Sequence, residues 1–262
     1  MTGDELIALA DANYFDSMRT VASLIDGGAT RERDGVLIAA TGLPIAFLNV
    51  IFVTQPLERP KALLEEAVAY FDERALPFIL RVRDGVDQES ERAAESLGLP
   101  YRDTLPAMTL FPLPAPQPAP SSFEIRRAED PSSLRQCAEV LAGGFGMPPE
   151  LAHRFVTPRA LGVPDVQFYT GFVDGEPAAT SALFMSHGVA GVYNVATLAA
   201  YRRRGLGEGM TAHAAQEGAR AGCRMASLQS SEMGLPVYTR MGFRTVAGYR
   251  TFVRPEHVDG EE

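Results

Sequence analysis

The chain has 262 residues, enough for one large or two small domains, and 46% of them are hydrophobic, which is ample for packed cores. A formal net charge of −9 argues against a nucleic-acid partner, and no apolar run approaches membrane-spanning length. The two cysteines, Cys137 and Cys223, make neither a metal-ligand pair nor a disulfide framework, and the acidic amino terminus lacks a basic and then apolar leader pattern, so a soluble, cytoplasmic protein without metal is expected.

In chain order, two apolar strands over 36–40 and 45–53 flank Thr41-Gly42-Leu43-Pro44. A helix follows over 61–75, with Leu63, Leu64, Ala67, Val68 and Phe71 on one face. A strand at 78–82 and a helix at 89–96 lead into Leu97-Gly98-Leu99, and a strand over 107–111 closes this first unit. Proline then recurs at every second position from Pro112 to Pro120, which denies donors to any sheet and favours an extended, semi-rigid spacer. The expected organisation is a unit over 1–111, a linker over 112–122 and a unit over 123–262.

The second unit opens with a strand at 123–126, and Asp130-Pro131 starts a helix running to about residue 142. Gly143, Gly144, Pro148 and Pro149 break the chain before a helix at 150–156. Strands at 168–173 and 178–185 flank the turn Asp174-Gly175, and a turn at Ser186-His187-Gly188 leads into the stretch on which the chain is organised. Over 192–221 a strand with Val192, Tyr193, Val195 and Thr197 runs into Arg202-Arg203-Arg204, then Gly205, Leu206, Gly207 and Gly209 as a turn, then a helix. The first amides of a helix lack intrahelical partners, its dipole favours negative charge, and glycines admit close approach. With three arginines beside it, the junction suits a phosphorylated ligand. A mononucleotide loop needs Lys and then Ser or Thr where Glu208-Gly209 stands, and a dinucleotide fingerprint needs a third glycine where Met210 stands.

Arg202-x-x-Gly205-x-Gly207 directly after a strand resembles the pyrophosphate loop of the GNAT superfamily of N-acyltransferases. Downstream, a strand from Met225 and a short helix end in Tyr238-Thr239-Arg240-Met241-Gly242-Phe243, which resembles that family's late Tyr-x-x-x-Gly-Phe segment. Ser231 stands seven positions before Tyr238, in a region where the family often has Asn. The resemblance covers about 123–255 and implies a mixed-sheet α/β fold in the order β-α-α-β-β-β-α-β-α-β. The first unit is read as a degenerate copy of that fold in tandem, its rival being an unrelated small α/β domain. Aligning Leu97-Gly98-Leu99 with Met241-Gly242-Phe243 puts Ala94 where Tyr238 stands, and the junction over 54–61 has no glycine.

The resemblance implies acetyl-CoA as co-substrate. Its pyrophosphate would lie on the backbone and side chains of Arg202, Arg203, Arg204, Gly205, Leu206, Gly207 and Glu208. Its pantetheine arm would lie along Val195, Ala196 and Thr197, where an amide can polarise the thioester carbonyl. Tyr238 would be the general acid to the departing thiolate. A neutral primary amine of a small molecule or peptide would attack directly, because no nucleophilic arrangement is legible. Glu232, Asn194, Tyr193 or a water chain remain open as the base, and His187 and His213 read as surface residues. The region over 145–164 would set the acceptor. The expected partners are that amine, no nucleic acid and no membrane, with the chain a monomer built as a pseudo-dimer of two domains, or a homodimer. Two other functions stay open: a catalytically silent acyl-CoA-binding or regulatory module, and a nucleotide-binding domain.

Overall fold

The computed structural model describes residues 1–115 and 123–257. Residues 116–122 of the expected linker lie outside the described residues. In chain order, α1 (Gly3–Leu24) is followed by β1 (Ala29–Arg33), β2 (Val36–Ala40), β3 (Asn49–Val53), α2 (Pro60–Asp72), β4 (Ile79–Arg83), α3 (Gln88–Ser96) and β5 (Tyr101–Leu110). Then come β6 (Glu124–Arg127), α4 (Pro131–Phe145), α5 (Pro149–Phe155), β7 (Val166–Val173), β8 (Glu176–Ser186), β9 (Val189–Thr197), α6 (Leu206–Arg220), β10 (Met225–Gln229), α7 (Leu235–Arg240) and β11 (Arg244–Phe252). From β6 onward the order is the one the resemblance implied.

Two compact units form, one of Met1–Ser17 with Ala107–Val246, the other of Met18–Pro106 with Ala247–Glu262. They differ from the contiguous 1–111 and 123–262 expected from the sequence. Ala107–Leu110, expected to close the first unit, pair antiparallel with β10 in the larger unit, Ala107 opposite Gln229 and Leu110 opposite Ala226. Conversely, Tyr249–Phe252 of β11 pair antiparallel with β4 in the smaller unit, Tyr249 opposite Arg83 and Phe252 opposite Leu80. Alternating hydrophobicity specifies which face of a strand is buried and leaves its partner open, so this exchange of closing strands has no local signature.

The helix α1 has one in hindsight. Thr2 and Glu5 bond reciprocally, Glu5 N–H to the Thr2 hydroxyl at 3.3 Å and Thr2 N–H to the Glu5 carboxylate at 2.7 Å. That is a capping box, with Asp4 and Glu5 favourably placed in the first turn. α1 is not among the elements expected from the sequence.

In the smaller unit β1, β2 and β3 run antiparallel, β3 and β4 are parallel, and β4 meets the end of β11. The β3–β4 crossover is α2, whose buried Leu64, Ala67, Val68 and Phe71 join Ile38, Ile51, Leu80 and Val82 in one cluster. Phe71 stacks on Phe78 with ring centroids 4.9 Å apart. In the larger unit β6, β7, β8 and β9 form an antiparallel run, β9 pairs parallel with β10, and β10 pairs with the end of β5. Leu206, Met210, Ala214 and Ala215 of α6 pack on Ala190, Val192, Ala226 and Leu228. Ala190 takes the close approach of Gly218, where a Cβ would fall 2.3 Å from that alanine's own.

Asp87 fastens α3 in the smaller unit. Its carboxylate accepts from the N–H of Glu89 and Ser90, from the Ser90 hydroxyl and, at 2.9 Å, from Leu57 N–H. Burial raises its pKa, but these four bonds together hold it below the usual carboxylate value. A folded pKa below the unfolded value stabilises the fold above about pH 4, and that stabilisation is lost as pH falls through the folded pKa. Asp87→Ala is therefore expected to destabilise the protein by roughly 2 kcal/mol near neutral pH, the upper range for losing a helix cap. Denaturant unfolding should show the gap to wild type narrowing below about pH 4.

Candidate active site

The two parallel strands of the larger unit pair over three rungs: Val189 with Met225, Ala190 with Ala226, and Gly191 with Ser227. Beyond them β10 stays with β5 as far as Gln229, whereas β9 stays with β8 as far as Thr197, which faces Ala179. From Val192 to Thr197 the described ladder gives β9 no rung to β10, so the sheet forks. A bulge on β9 accompanies the parting. Tyr193 pairs with Ala182 and Ala196 with Thr180, so Asn194 and Val195 together face Ser181 alone. Asn194 takes the left-handed conformation at φ 54°, which asparagine tolerates better than most residues. An extra residue of this kind bends the strand and increases its twist, which turns β9 away from its neighbour.

At the end of β9 the chain turns through Ala199–Tyr201 and becomes left-handed at Arg203 (φ 63°) and Gly205 (φ 77°) before α6 begins. The first amide bonded within α6 is that of Gly209, to Gly205 O at 2.9 Å. Those of Leu206, Gly207 and Glu208 precede it at the positive end of the helix. A Cβ on Gly207 would lie 3.8 Å from Thr197 Oγ1 and 3.9 Å from Val195 Cγ1, so this glycine faces the end of β9 across open space. Gly209, read from the sequence as part of the turn, lies inside the helix. It is a packing glycine, because a Cβ there would fall 2.6 Å from the Phe123 ring.

The three arginines separate by role. Arg202 points back into the protein, its Nε to Thr197 O at 3.3 Å and its Nη2 to Gly144 O at 3.1 Å, which ties the loop to the ends of β9 and α4. Arg204 lies over the Tyr201 ring at 5.4 Å. Arg203 is exposed.

Tyr238 on α7 is half-buried. Its ring lies 6.0 Å from Phe243, and a Cβ on Gly234 would be 2.7 Å from the ring edge. Burial raises its pKa, and a hydrogen bond with Thr211 offsets part of the shift. Thr211 in turn donates to Gly207 O at 2.9 Å, so the phenol is linked to the first turn of α6. The backbone beneath is fixed by Phe243 N–H to Tyr238 O at 3.0 Å, with Gly242 left-handed at φ 93°.

Other candidates fall elsewhere. Tyr193, open as a base from the sequence, is half-buried, donates its hydroxyl to Asn13 Oδ1 at 2.8 Å, and has its pKa pushed up by burial of the phenol. His213, expected on the surface, is half-buried edge-on to Tyr169 at 4.7 Å, and burial lowers its pKa. His187 is exposed and meets Asp16 at 2.7 Å. Cys137 is buried within 3.0 Å of the Thr170 hydroxyl, and burial pushes its thiol pKa up, so it is a poor nucleophile.

No curated protein matches the chain significantly. Residues 134–243 match the model of the acetyltransferase (GNAT) family. Among solved structures, a GCN5-related N-acetyltransferase from Kribbella flavida superposes with a TM-score of 0.72 at 17% identity, over 94% of this chain and 95% of its own. A GCN5-related N-acetyltransferase from Sphaerobacter thermophilus gives 0.61 at 18% identity, over 88% and 84%. A GCN5-related N-acetyltransferase-like protein from Streptococcus suis gives 0.59 at 16% identity, over 89% and 92%. At such identities the likeness is one of fold, and it covers most of the chain. The expected mixed-sheet GNAT fold is therefore present, and the match to the acetyltransferase (GNAT) family model falls on residues 134–243, within the larger unit.

Proposed function

We propose that the larger unit moves an acetyl group from acetyl-CoA directly to a primary amine of a small molecule or peptide. The observation that carries this reading is the fork between β9 and β10, with the open start of α6 at its far end. Unpaired strand edges inside a sheet are unfavourable unless something else pairs with them. When bound, acetyl-CoA supplies an activated thioester and a thiolate leaving group. The chain's residues suit it in three ways. Amides from Arg203 to Glu208 and the charges of Arg203 and Arg204 suit a pyrophosphate, with Arg202 holding the loop in shape. The open edge at Val195, Ala196 and Thr197 offers backbone groups to an extended arm, and an amide there suits a developing oxyanion. Tyr238, with its pKa raised, keeps its proton at neutral pH and can deliver it to sulfur as a general acid. With Cys137 buried and protonated, direct transfer is preferred to an acyl-enzyme.

The smaller unit is read as a copy of the same fold without its chemistry. Its parallel pair β3–β4 is joined by a helix, as β9 and β10 are, and α3 ends as α7 does. Leu99 N–H bonds Ala94 O at 3.1 Å around left-handed Gly98, matching the turn at Tyr238–Phe243. Yet β3 and β4 stay paired to the last residue of β3, Val53 opposite Val82, so no fork opens. Equilibrium titration with acetyl-CoA is therefore expected to give one site per chain, and two would refute this assignment of the smaller unit.

Gly207→Ala tests the cofactor loop. The added methyl has room in the protein itself, and alanine favours a helix by about 1 kcal/mol over glycine, so the melting temperature should hold or rise. Placed between the helix start and β9, the methyl is expected to weaken acetyl-CoA binding by about tenfold or more, roughly 1.4 kcal/mol. Unchanged affinity by calorimetry would remove the pyrophosphate assignment.

Tyr238→Phe tests the acid. The ring contact with Phe243 survives and one hydrogen bond is lost, about 1 kcal/mol of stability. Acetyl-CoA affinity should be nearly intact, while single-turnover transfer to an amine acceptor should fall by roughly a hundredfold. A wild-type transfer rate would reduce Tyr238 to a packing residue.

A further inference from the structure

Asn13 lies on α1, outside the residues that match the family model, and its side chain is 1% exposed. Its Nδ2 donates to Phe184 O at 3.0 Å, the Ser186 hydroxyl at 3.1 Å and Val189 O at 3.4 Å. Its Oδ1 accepts from the Tyr193 hydroxyl at 2.8 Å and the Ser227 hydroxyl at 3.4 Å. The amide is thus fully used, with partners on β8, β9 and β10.

The place matters more than the number of bonds. Gly191 and Ser227 form the last rung before β9 and β10 part, and Tyr193 lies on the free stretch of β9 immediately before the bulged Asn194. Asn13 Oδ1 therefore bridges one hydroxyl from each arm of the fork, at the point where the arms separate. The backbone makes room for it. A Cβ on Gly191 would fall 2.1 Å from Asn13 Oδ1 and 2.5 Å from the Tyr193 ring. That ring is held from two further sides, by Tyr14 of α1 with ring centroids 6.3 Å apart and by Phe184 edge-on at 5.6 Å. Docking a helix on a sheet needs only apolar contact. A buried polar cluster is a costly alternative unless every member is satisfied, and its gain is a single defined geometry.

We propose that Asn13 is a positioning residue for acyl transfer: through Tyr193 and Ser227 it fixes how β9 leaves β10, and so aims the segment from Asn194 to Thr197 at the acyl donor. This rests on the acetyl-transfer reading above. It makes the amino-terminal helix a working part of the catalytic unit.

Asn13→Leu would take a partner from three hydroxyls and two carbonyls and put folding itself at stake, so the test is Tyr193→Phe, which removes one hydroxyl and keeps the ring. Acetyl-CoA affinity by calorimetry should stay within about twofold, because the pyrophosphate loop is untouched. Single-turnover transfer from saturating acetyl-CoA should fall by about tenfold or more, as displacement of a reacting group does. Without any ligand, hydrogen exchange in peptides spanning 192–197 should quicken relative to wild type. A variant with a lower melting temperature but wild-type transfer and exchange would make the cluster purely structural and overturn this inference alone. A wild-type protein that binds acetyl-CoA and transfers nothing to an amine library would overturn the acetyl-transfer reading and this inference with it.

Discussion

The larger unit depends on a parallel pair of strands that separates. Strand edges are normally paired, covered or short, because unpaired N–H and C=O groups out of water are unfavourable. Here β9 gives up its β10 partner after Gly191, and separate devices hold it in that state. The bulge at Asn194 bends the strand, and Arg202 anchors its far end by bonding Thr197 O and Gly144 O. At the near end Asn13 joins hydroxyls from both arms. The opening is thus held at both ends and in the middle, and on the proposed reading it takes an extended ligand that pairs with backbone.

The smaller unit shows what the same succession of elements does without those devices. Its β3–β4 ladder stays closed to Val53, and its strand-to-helix junction enters α2 through Arg59 and Pro60 with no left-handed glycine. The residue at the Tyr238 position is the buried Ala94. On the proposed reading of this unit as a copy without the chemistry, the closed ladder, the absent glycines and the absent phenol go together, because no ligand pairs with a fork there. What the unit supplies is chain: its last strand, β5, gives Ala107–Leu110 to β10, and β11 in return gives Tyr249–Phe252 to β4. Neither unit has its full set of strands when built from one contiguous half of the sequence.

Legibility followed locality. The loop Arg202–Gly207 and the turn Tyr238–Phe243 are each written within a few residues, because a helix start and a helix stop are set by near neighbours, and both were readable. Most helices and strands were placed to within a few residues for the same reason. Asn13 was not readable. Its partners lie 171 to 214 positions away, and a lone asparagine in a helix carries no sign of what it will meet. The strand exchange was hidden because alternation marks a buried face and not a neighbour. Gly209 was misassigned to the turn because glycine for conformation and glycine for packing look alike until Phe123 is seen against it. The start of α1, by contrast, is legible in Thr2 and Glu5.

The arginine triplet shows how residue type and role come apart. Three adjacent positive charges in an acidic chain suggest three phosphate contacts, yet Arg202 spends its donors on two carbonyls of the protein. An arginine so fixed still serves an anion site indirectly, because it sets where the next amides point. The exposed charges of Arg203 and Arg204 are screened by water and salt, whereas amides held at a helix start are preorganised. On the proposed reading, then, donor recognition rests mainly on backbone geometry. Glu208 is consistent with this: a carboxylate in the first turn of α6 would oppose a phosphate if side-chain charge governed the site, but it leaves the amides of Leu206, Gly207 and Glu208 itself free to face one.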